Sequence, residues 1–267
     1  YVRAHDFRRY LHKNLEDFII ETPLENPLDF LNKQFDASLI KDIQTKWIPY
    51  DFKNQNIDDF LKNLNIDKTV EISSIQGGYS NAIKQLNKFI EVGYQDYAKY
   101  RSDPSKEASS QLSPYFHHGQ ISTHEVFDKI SELESWSPES INPKMVGRRE
   151  GWWGSSENFE SFMDELITWR ELGYHTCVRR ANYNQYSSLP EWAIKTLHEH
   201  SSDEREHIYS LDELTYSQTH DEIWNAAQNQ LRTQGVIQNY LRMLWGKKIL
   251  EWTPNPQIAL SYMITLN

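Results

Sequence analysis

Apolar residues recur at helical spacing along much of this chain. Aromatic and aliphatic residues return every three or four positions over residues 6–20, 82–97 and 159–173. No segment alternates apolar and polar residues over a length typical of a β-strand. We therefore predict an all-α fold.

Three further helices are predicted towards the C-terminal end. The first contains Trp224 and ends at Gly235, because glycine favours the left-handed conformation in which many helices terminate. The next helix stops before Pro254, and another spans residues 258–266. Gly173 is expected to end the 159–173 helix in the same way as Gly235.

Two stretches interrupt the helical pattern. The segment from Pro23 to about Ile75 is polar, rich in Asn and Asp, and only patchily periodic, which indicates a connector with short helices. Residues 136–156 are rich in Pro and Gly and predict a surface loop.

Charge and hydropathy narrow the class of protein. With 28 Lys+Arg and 38 Asp+Glu the chain has a net charge of -10, which argues mildly against bulk electrostatic attraction to nucleic acid. Local basic pairs remain at 148–149, 179–180 and 247–248. The mean hydropathy is -0.74, and no run approaches the roughly 20 apolar residues of a membrane span.

Cysteine and histidine usage bears on compartment and metal binding. Cys177 is the single cysteine, so an internal disulfide is excluded and a cytoplasmic location is predicted. The histidines and Cys177 are not spaced as in a compact zinc site, so no metal is expected. The chain does not begin with Met, which suggests a fragment of a longer protein.

Residues 224–252 carry the most specific pattern in the sequence. Trp224, Trp245 and Trp252 lie in two apolar helices, and the last two are seven residues apart, about 10 Å along a helix axis. Packing in a core explains such tryptophans in most proteins. Arg242 is harder to explain by packing, because a charge within the apolar run 240–245 is costly unless it is paired. It points to a buried anion or a polar cofactor.

Four segments, in order along the chain, resemble segments of a known family. They lie at residues 97–104, 109–115, 165–172 and 224–252, the last followed by Leu266 and Asn267. They resemble the FAD-binding helical domain of the DNA photolyase/cryptochrome family, most closely the class II cyclobutane pyrimidine dimer photolyases and their bacterial relatives. Residues 1–20 resemble the linker that leaves the family's N-terminal antenna domain. Residues 237–239, Ile-Gln-Asn, depart from the Met-His-Gly of many class II members.

The resemblance implies a domain organisation and a cofactor. Residues 1–74 would be the linker and connector from an antenna domain, and 75–267 the FAD-binding helical domain, with its C-terminal end missing. The cofactor would be FAD, active as FADH⁻; the antenna chromophore is left open. The residues that would hold FAD are Tyr97, Ser109, Ser110, Gln111, Leu112, Ser113, Asn239 and Arg242.

The resemblance also implies a substrate pocket. Glu165 and Trp169 are four residues apart and share one face of a helix, where the family contacts the lesion. Met243 corresponds to a methionine at the floor of that pocket, and Asn267 to an asparagine beside the flavin. We expect all four to be catalytic residues.

The three tryptophans would carry an electron to the flavin. By position, Trp245 is the proximal member, Trp224 the middle one and Trp252 the distal, exposed one. The implied activity is light-driven repair of cyclobutane pyrimidine dimers by an electron from photoexcited reduced FAD, with damaged DNA as partner and a monomer as the expected state. The alternative is a cryptochrome-like photoreceptor without repair activity. A third interpretation, a helical scaffold without flavin, requires four coincidental matches.

Overall fold

The computed structural model of the chain is helical. It describes residues 3–20, 23, 24, 26, 28, 37–48, 51, 53, 56–66, 68, 70 and 72–267, and no β-strand occurs among them. The predicted all-α class is confirmed. Within these residues, no helix combines the length and the apolar character needed to cross a membrane.

The α-helices are joined by connections of different lengths, and one of these, residues 134–156, is long. In the described part of the chain they are α1 (Ala4–Asn14), α2 (Glu16–Ile20), α3 (Ala37–Lys46), α4 (Ile57–Asn63), α5 (Tyr79–Lys88), α6 (Tyr97–Tyr100), α7 (Ser113–His117), α8 (Thr123–Leu133), α9 (Glu157–Met163), α10 (Arg170–Arg179), α11 (Glu191–Glu199), α12 (Leu211–Thr215), α13 (Glu222–Gln234), α14 (Asn239–Glu251) and α15 (Pro256–Leu266).

The chain divides into two compact units. One consists of Tyr1–Thr22 together with Ile72–Asn267, and the other of Pro23–Glu71. The first predicted helix, over residues 6–20, is present as α1 and α2. Both belong to the same compact unit as the predicted domain 75–267. The role of residues 1–74 as a connector from another domain stays a prediction.

Helix α1 is anchored by polar side chains in the core of its unit. Arg8 forms a two-pronged ion pair with Asp164, with Nε–Oδ1 and Nη2–Oδ2 distances of 2.8 and 2.9 Å. His12 stacks on Trp152 with ring centroids 3.9 Å apart, and its Nδ1 accepts a hydrogen bond from the Gly147 amide at 3.1 Å. These contacts join α1 to residues more than 130 positions away.

Acid should destabilise the chain through His12. The pKa of His12 is lowered from 6.5 to about 4, mainly by burial and then by the charge of Arg8, while the charge of Asp164 opposes both. Between these values the unfolded state binds a proton that the folded state does not, so stability falls as the pH drops from 6.5 towards 4. At about 1.4 kcal/mol per pH unit this loss is about 3 kcal/mol.

The measurement is the free energy of unfolding of the full-length protein at several pH values, for the parent and His12→Gln. Glutamine retains an acceptor for the Gly147 amide but does not titrate. We expect the variant to lose less stability than the parent between pH 7 and 4. Identical losses in the two proteins would show that His12 is protonated when folded.

The predicted surface loop at 136–156 is wrong in part. Trp152 and Trp153 are only 1% and 4% exposed and belong to the first hydrophobic core. The Trp136 indole donates to the Trp153 carbonyl at 2.7 Å, and both rings pack against Phe127 of α8 and Phe159 of α9. Proline- and glycine-rich turns indicate an irregular path, but they do not decide whether the chain runs over the surface or into the core.

The helix predicted over 159–173 is longer than expected. It starts at Glu157, passes through a π-helical segment at Asp164–Trp169, and continues as α10 to Arg179. Gly173 therefore does not end it. The C-cap is Arg180, whose backbone is extended. By contrast, Gly235 adopts the left-handed conformation (φ 70°) and ends α13 as predicted.

A second hydrophobic core lies among the last four helices. Its buried residues are Leu214, Trp224, Ala227, Ile237, Trp245, Ile249, Trp252 and Ala259. Helix α14 packs against both α13 and α15. The three tryptophans of the 224–252 pattern thus meet in one core.

Candidate functional site

The serine loop, residues 109–113, precedes the short helix α7. Leu112 is fully buried and ties the loop to the first core, while Gln111 adopts a left-handed backbone conformation with φ 53°. The Ser110 backbone carbonyl accepts a hydrogen bond from Gln85 at 3.0 Å. Among the described residues, the hydroxyls of Ser109 and Ser113 have no hydrogen-bond partner. The loop therefore offers two hydroxyl groups as hydrogen-bond donors, and the buried Leu112 holds it in place.

Tyr97 and Glu165 come together through Arg101. Nη1 of Arg101 lies 2.6 Å from Oε1 of Glu165, and Cζ of the same guanidinium lies over the Tyr97 ring, 5.7 Å from its centroid. Burial is the largest single effect and lowers the pKa of Arg101, but the charges of Glu165 and Tyr97 and the hydrogen bonds to them together outweigh it and raise the pKa above its usual value. Glu165 is partly exposed, and its Oε2 has no hydrogen-bond partner among the described residues.

Gln238 connects this cluster to α14. Its side-chain amide donates to the Arg101 carbonyl at 2.9 Å, while its Oε1 caps the helix by accepting from Tyr240 and Leu241. Asn239 is the first residue of α14 and is exposed. The sequence interpretation treated Gln238 only as a departure from the family and did not assign a role to Arg101. Capping preferences gave no signal for Gln238, because glutamine is not among the residues favoured at a helix N-cap.

The predicted substrate residues are accessible. Trp169 is 47% exposed and Met243 is 49% exposed, although both are large and apolar. Glu165 and Trp169 lie in the π-helical segment and not in an α-helix as the spacing argument assumed. The Trp169 indole donates to Oδ2 of Asp164 at 3.2 Å, a partner that the sequence interpretation missed.

Trp245, Trp224 and Trp252 form a continuous tryptophan stack. The rings of Trp245 and Trp224 are parallel within 1°, with centroids 6.4 Å apart, and Trp224 meets Trp252 edge-on at 5.6 Å. Trp245 donates its indole proton to Oε1 of the buried Gln228 at 2.7 Å, and Trp224 donates to the Trp245 carbonyl at 3.2 Å. Trp224 lies between the other two rings, and the assignment of Trp245 as proximal and Trp252 as distal to a flavin stays a prediction.

The predicted exposure of Trp252 is wrong. It is 1% exposed, and its indole nitrogen is buried without a hydrogen-bond partner among the described residues. Tyr209 and His220 pack edge-on against its ring at 5.6 and 5.2 Å, and the Tyr209 hydroxyl lies 2.6 Å from His220 Nδ1. Both residues come from the segment before α13. This tyrosine–histidine pair covers the Trp252 end of the stack and separates it from solvent.

Arg242 is not buried, which corrects the premise of the sequence argument. Its side chain is exposed, because α14 turns residues 242–244 away from the second core. Nη1 of Arg242 donates to Oδ1 of Asn267 at 3.0 Å, so two predicted site residues are direct partners. Neighbouring atoms still desolvate the guanidinium enough to lower its pKa.

The predicted residues thus fall into connected groups. Tyr97 and Glu165 meet at Arg101, Arg242 meets Asn267, and the three tryptophans form the stack. Within the described ranges, no hydrogen bond or ion pair joins the serine loop to α14, and no cluster of three or more His, Cys, Asp or Glu side chains could hold a metal ion.

Comparison with known proteins identifies the family. The chain is 32% identical over 273 residues to a deoxyribodipyrimidine photo-lyase of Arabidopsis thaliana, covering 99% of this chain and 48% of that protein. It is 36% identical over 210 residues to the photo-lyase of Methanothermobacter thermautotrophicus, covering 79% and 42%, respectively. The photo-lyase of Potorous tridactylus is 35% identical over 205 residues, 76% of this chain and 35% of that protein. The chain belongs to the photolyase/cryptochrome family. The resemblance seen in the sequence is confirmed.

The remaining comparisons give shorter or more distant matches. Cryptochrome-2 of Arabidopsis thaliana is 50% identical, but over only 50 residues, 19% of this chain and 8% of that protein. A solved class III photolyase from Agrobacterium tumefaciens has a TM-score of 0.48 and 19% identity, covering 83% of this chain and 42% of that one. No family model matches. The chain spans about a third to a half of the length of the curated relatives it matches.

Proposed function

We propose that this chain is the FAD-binding helical domain of a class II enzyme that repairs cyclobutane pyrimidine dimers in DNA with light. The tryptophan stack is the observation that carries the proposal. Its three rings are buried and adjacent, with Trp224 between Trp245 and Trp252, as an electron path in steps from ring to ring requires. Aromatic pairs at such separations also occur in ordinary cores, so the transfer of an electron has to be tested directly.

The residues assigned to FAD fit a dinucleotide cofactor. Hydroxyls of Ser109 and Ser113 without partners are suitable donors to phosphate oxygens, and a left-handed residue such as Gln111 helps to turn backbone N–H groups towards an anion. Arg242 has further N–H groups beyond the one that Asn267 accepts, and these suit the negative charge of a reduced isoalloxazine. When bound, FAD would supply light-driven donation and acceptance of single electrons.

The three tryptophans of the stack would carry the electron. Trp245 would be oxidised first and refilled from Trp224, which is in turn refilled from Trp252, because the rings meet in that order. Gln228 is a neutral acceptor and cannot take the indole proton of Trp245. The hole therefore moves along the stack without proton transfer at its first position.

The Glu165–Trp169 pair would contact a flipped-out pyrimidine dimer. Extruding a base for chemistry is the established solution for photolyases among DNA-repair enzymes. Arg101 holds one oxygen of Glu165 and leaves the other for substrate. The exposed indole of Trp169 and the exposed thioether of Met243 provide apolar surface for the lesion.

Light-dependent repair tests the proposal. Full-length protein, purified and reduced, should split a thymine dimer in an oligonucleotide into two thymines under blue light and not in the dark. Its absorption spectrum should show the bands of bound flavin. A flavin spectrum without repair would favour the photoreceptor alternative, for which the short cryptochrome match is the supporting observation. Absence of flavin would contradict both.

Arg242→Ala should weaken the retention of FAD. The substitution removes a charge-assisted hydrogen-bond donor, and such contacts contribute about 1.5–3 kcal/mol, so affinity should fall by roughly ten- to a hundredfold. Flavin occupancy after gel filtration and a flavin titration of the apoprotein measure the effect. Lys247→Ala, an exposed cation on the same helix, is the matched control. Full occupancy in Arg242→Ala would remove this residue from the flavin site.

A further inference from the structure

The indole of Trp169 is anchored by a hydrogen bond although the side chain is half exposed. Its Nε1 donates to Oδ2 of Asp164, five residues earlier, at 3.2 Å. Positions i and i+5 align in a π-helix, and the two residues are the first and last of the Asp164–Trp169 segment. The local widening of the helix therefore places a carboxylate at the N–H edge of the ring.

Asp164 is itself fixed by a residue far away in the sequence. Both of its oxygens are bound by Arg8 of α1, and the two side chains are only 5% and 8% exposed. A two-pronged arginine–carboxylate contact sets the orientation of the carboxylate plane as well as its position. Oδ2 of Asp164 thus faces Trp169 in a defined direction, because Arg8 leaves the carboxylate little freedom to rotate.

We propose that Arg8 and Asp164 are positioning residues that preorganise the Trp169 indole for the lesion. This inference rests on the proposed role of Trp169 in contacting the substrate. It extends the substrate pocket to α1, a helix outside the 75–267 segment predicted to form the FAD-binding domain. Neither residue touches the substrate; both act through the orientation of the indole.

The ion pair would favour lesion binding by restricting the conformations of the Trp169 side chain in advance. A half-exposed tryptophan without a polar anchor samples several rotamers, and fixing it on binding costs roughly 0.5–1.5 kcal/mol for one side chain. A ring already held by a buried carboxylate has lost that freedom in the free protein. Release of the indole should therefore weaken lesion binding about two- to tenfold.

Two variants release the indole by different routes. Arg8→Met with Asp164→Leu replaces the buried ion pair by apolar side chains, a change that often preserves stability, whereas removing one partner alone leaves a buried charge. Replacement of Trp169 by β-(3-benzothienyl)alanine removes only the N–H donor and leaves the ion pair intact. The second variant keeps the test valid if the first does not fold.

The first readout is independent of activity. In full-length protein labelled with 5-fluorotryptophan, the fluorine resonance of Trp169 is assigned by its loss in Trp169→Phe. We expect it to be single and dispersed in the parent and shifted towards the position of a freely solvated ring in Arg8→Met/Asp164→Leu. An unchanged resonance would overturn the inference.

The second readout is the Kd for an oligonucleotide containing a thymine dimer, with flavin content measured in every sample. Both variants should bind two- to tenfold more weakly than the parent, and in the Trp169→Phe background the ion-pair substitutions should have no further effect on the Kd. If Trp169→Phe weakens binding but neither variant does, the positioning role is wrong and the substrate role stands. If Trp169→Phe binds as the parent does, the proposed substrate role of Trp169 fails instead.

Discussion

Trp245→Phe should abolish the photoreduction of oxidised FAD in the full-length protein. Phenylalanine is much harder to oxidise than indole, so the path through the stack is cut at its first member. Repair by enzyme that has been reduced chemically should persist, because the repair electron comes from the reduced flavin and not from the tryptophans.

The structure supplies a matched control for this experiment. Trp245 and Trp153 are both 4% exposed, but Trp153 lies in the first core and outside the stack. Trp153→Phe should therefore carry a similar packing cost, of the order expected for shrinking a buried side chain, and leave photoreduction unchanged. The Trp245 variant also leaves Oε1 of Gln228 without its donor, so thermal unfolding of both variants should be compared.

The measurement is the rate at which oxidised flavin absorbance disappears under blue light with an external reductant. Flavin occupancy is set equal in all samples. If Trp245→Phe photoreduces at the parent rate, the stack is core packing and the electron enters by another route. Equal loss in both variants would point to disturbed folding.

The order of the stack could be predicted from the sequence, but its exposure could not. Trp245 lies on α14, Trp252 is the C-cap residue of the same helix two turns later, and Trp224 lies on the helix packed against it. Their proximity therefore follows from local spacing and one helix contact. The burial of Trp252 depends on Tyr209 and His220, which precede α13 and carry no periodic signal.

The burial of Arg242 could not be predicted from the sequence either: it was expected to be buried and is exposed. An arginine inside an apolar run suggested burial, yet α14 has only Trp245 and Ile249 buried, and its apolar residues are spread around the helix. A run of apolar residues without a clear stripe does not identify the face that packs. Which residues are covered depends on neighbouring helices.

The contacts that hold Glu165 and Trp169, the residues proposed to contact the substrate, could not be predicted from the sequence. Arg8 and Asp164 are 156 positions apart, and Arg101 and Glu165 are 64 apart, so no local pattern connects them. The π-helical segment was missed as well, because one additional residue in a helical turn changes the apolar period little over so short a stretch. The family resemblance identified Glu165 and Trp169, and only the fold shows what holds them.

Glu165→Ala should lower the repair yield per absorbed photon by about tenfold or more while leaving the flavin content unchanged. A hydrogen bond that involves a charged group contributes about 1.5–3 kcal/mol, and the free Oε2 of Glu165 is the oxygen proposed to face the lesion. The substitution also leaves Arg101 partly buried without its carboxylate. Glu165→Gln separates these effects, because it preserves the shape and one acceptor.

Glu171→Ala is the matched control for the loss of an ion pair on the same helix. Glu171 pairs with Arg170 at 2.7 Å and has no predicted role in the site. Quantum yields on a thymine dimer, measured at saturating DNA with reduced enzyme, should drop for Glu165→Ala and stay at the parent value for Glu171→Ala. An unchanged yield in Glu165→Ala would exclude its carboxylate from the lesion pocket. A repair yield retained in Glu165→Gln but lost in Glu165→Ala would mean that a neutral acceptor at this position suffices, so that the negative charge of Glu165 serves mainly to hold Arg101.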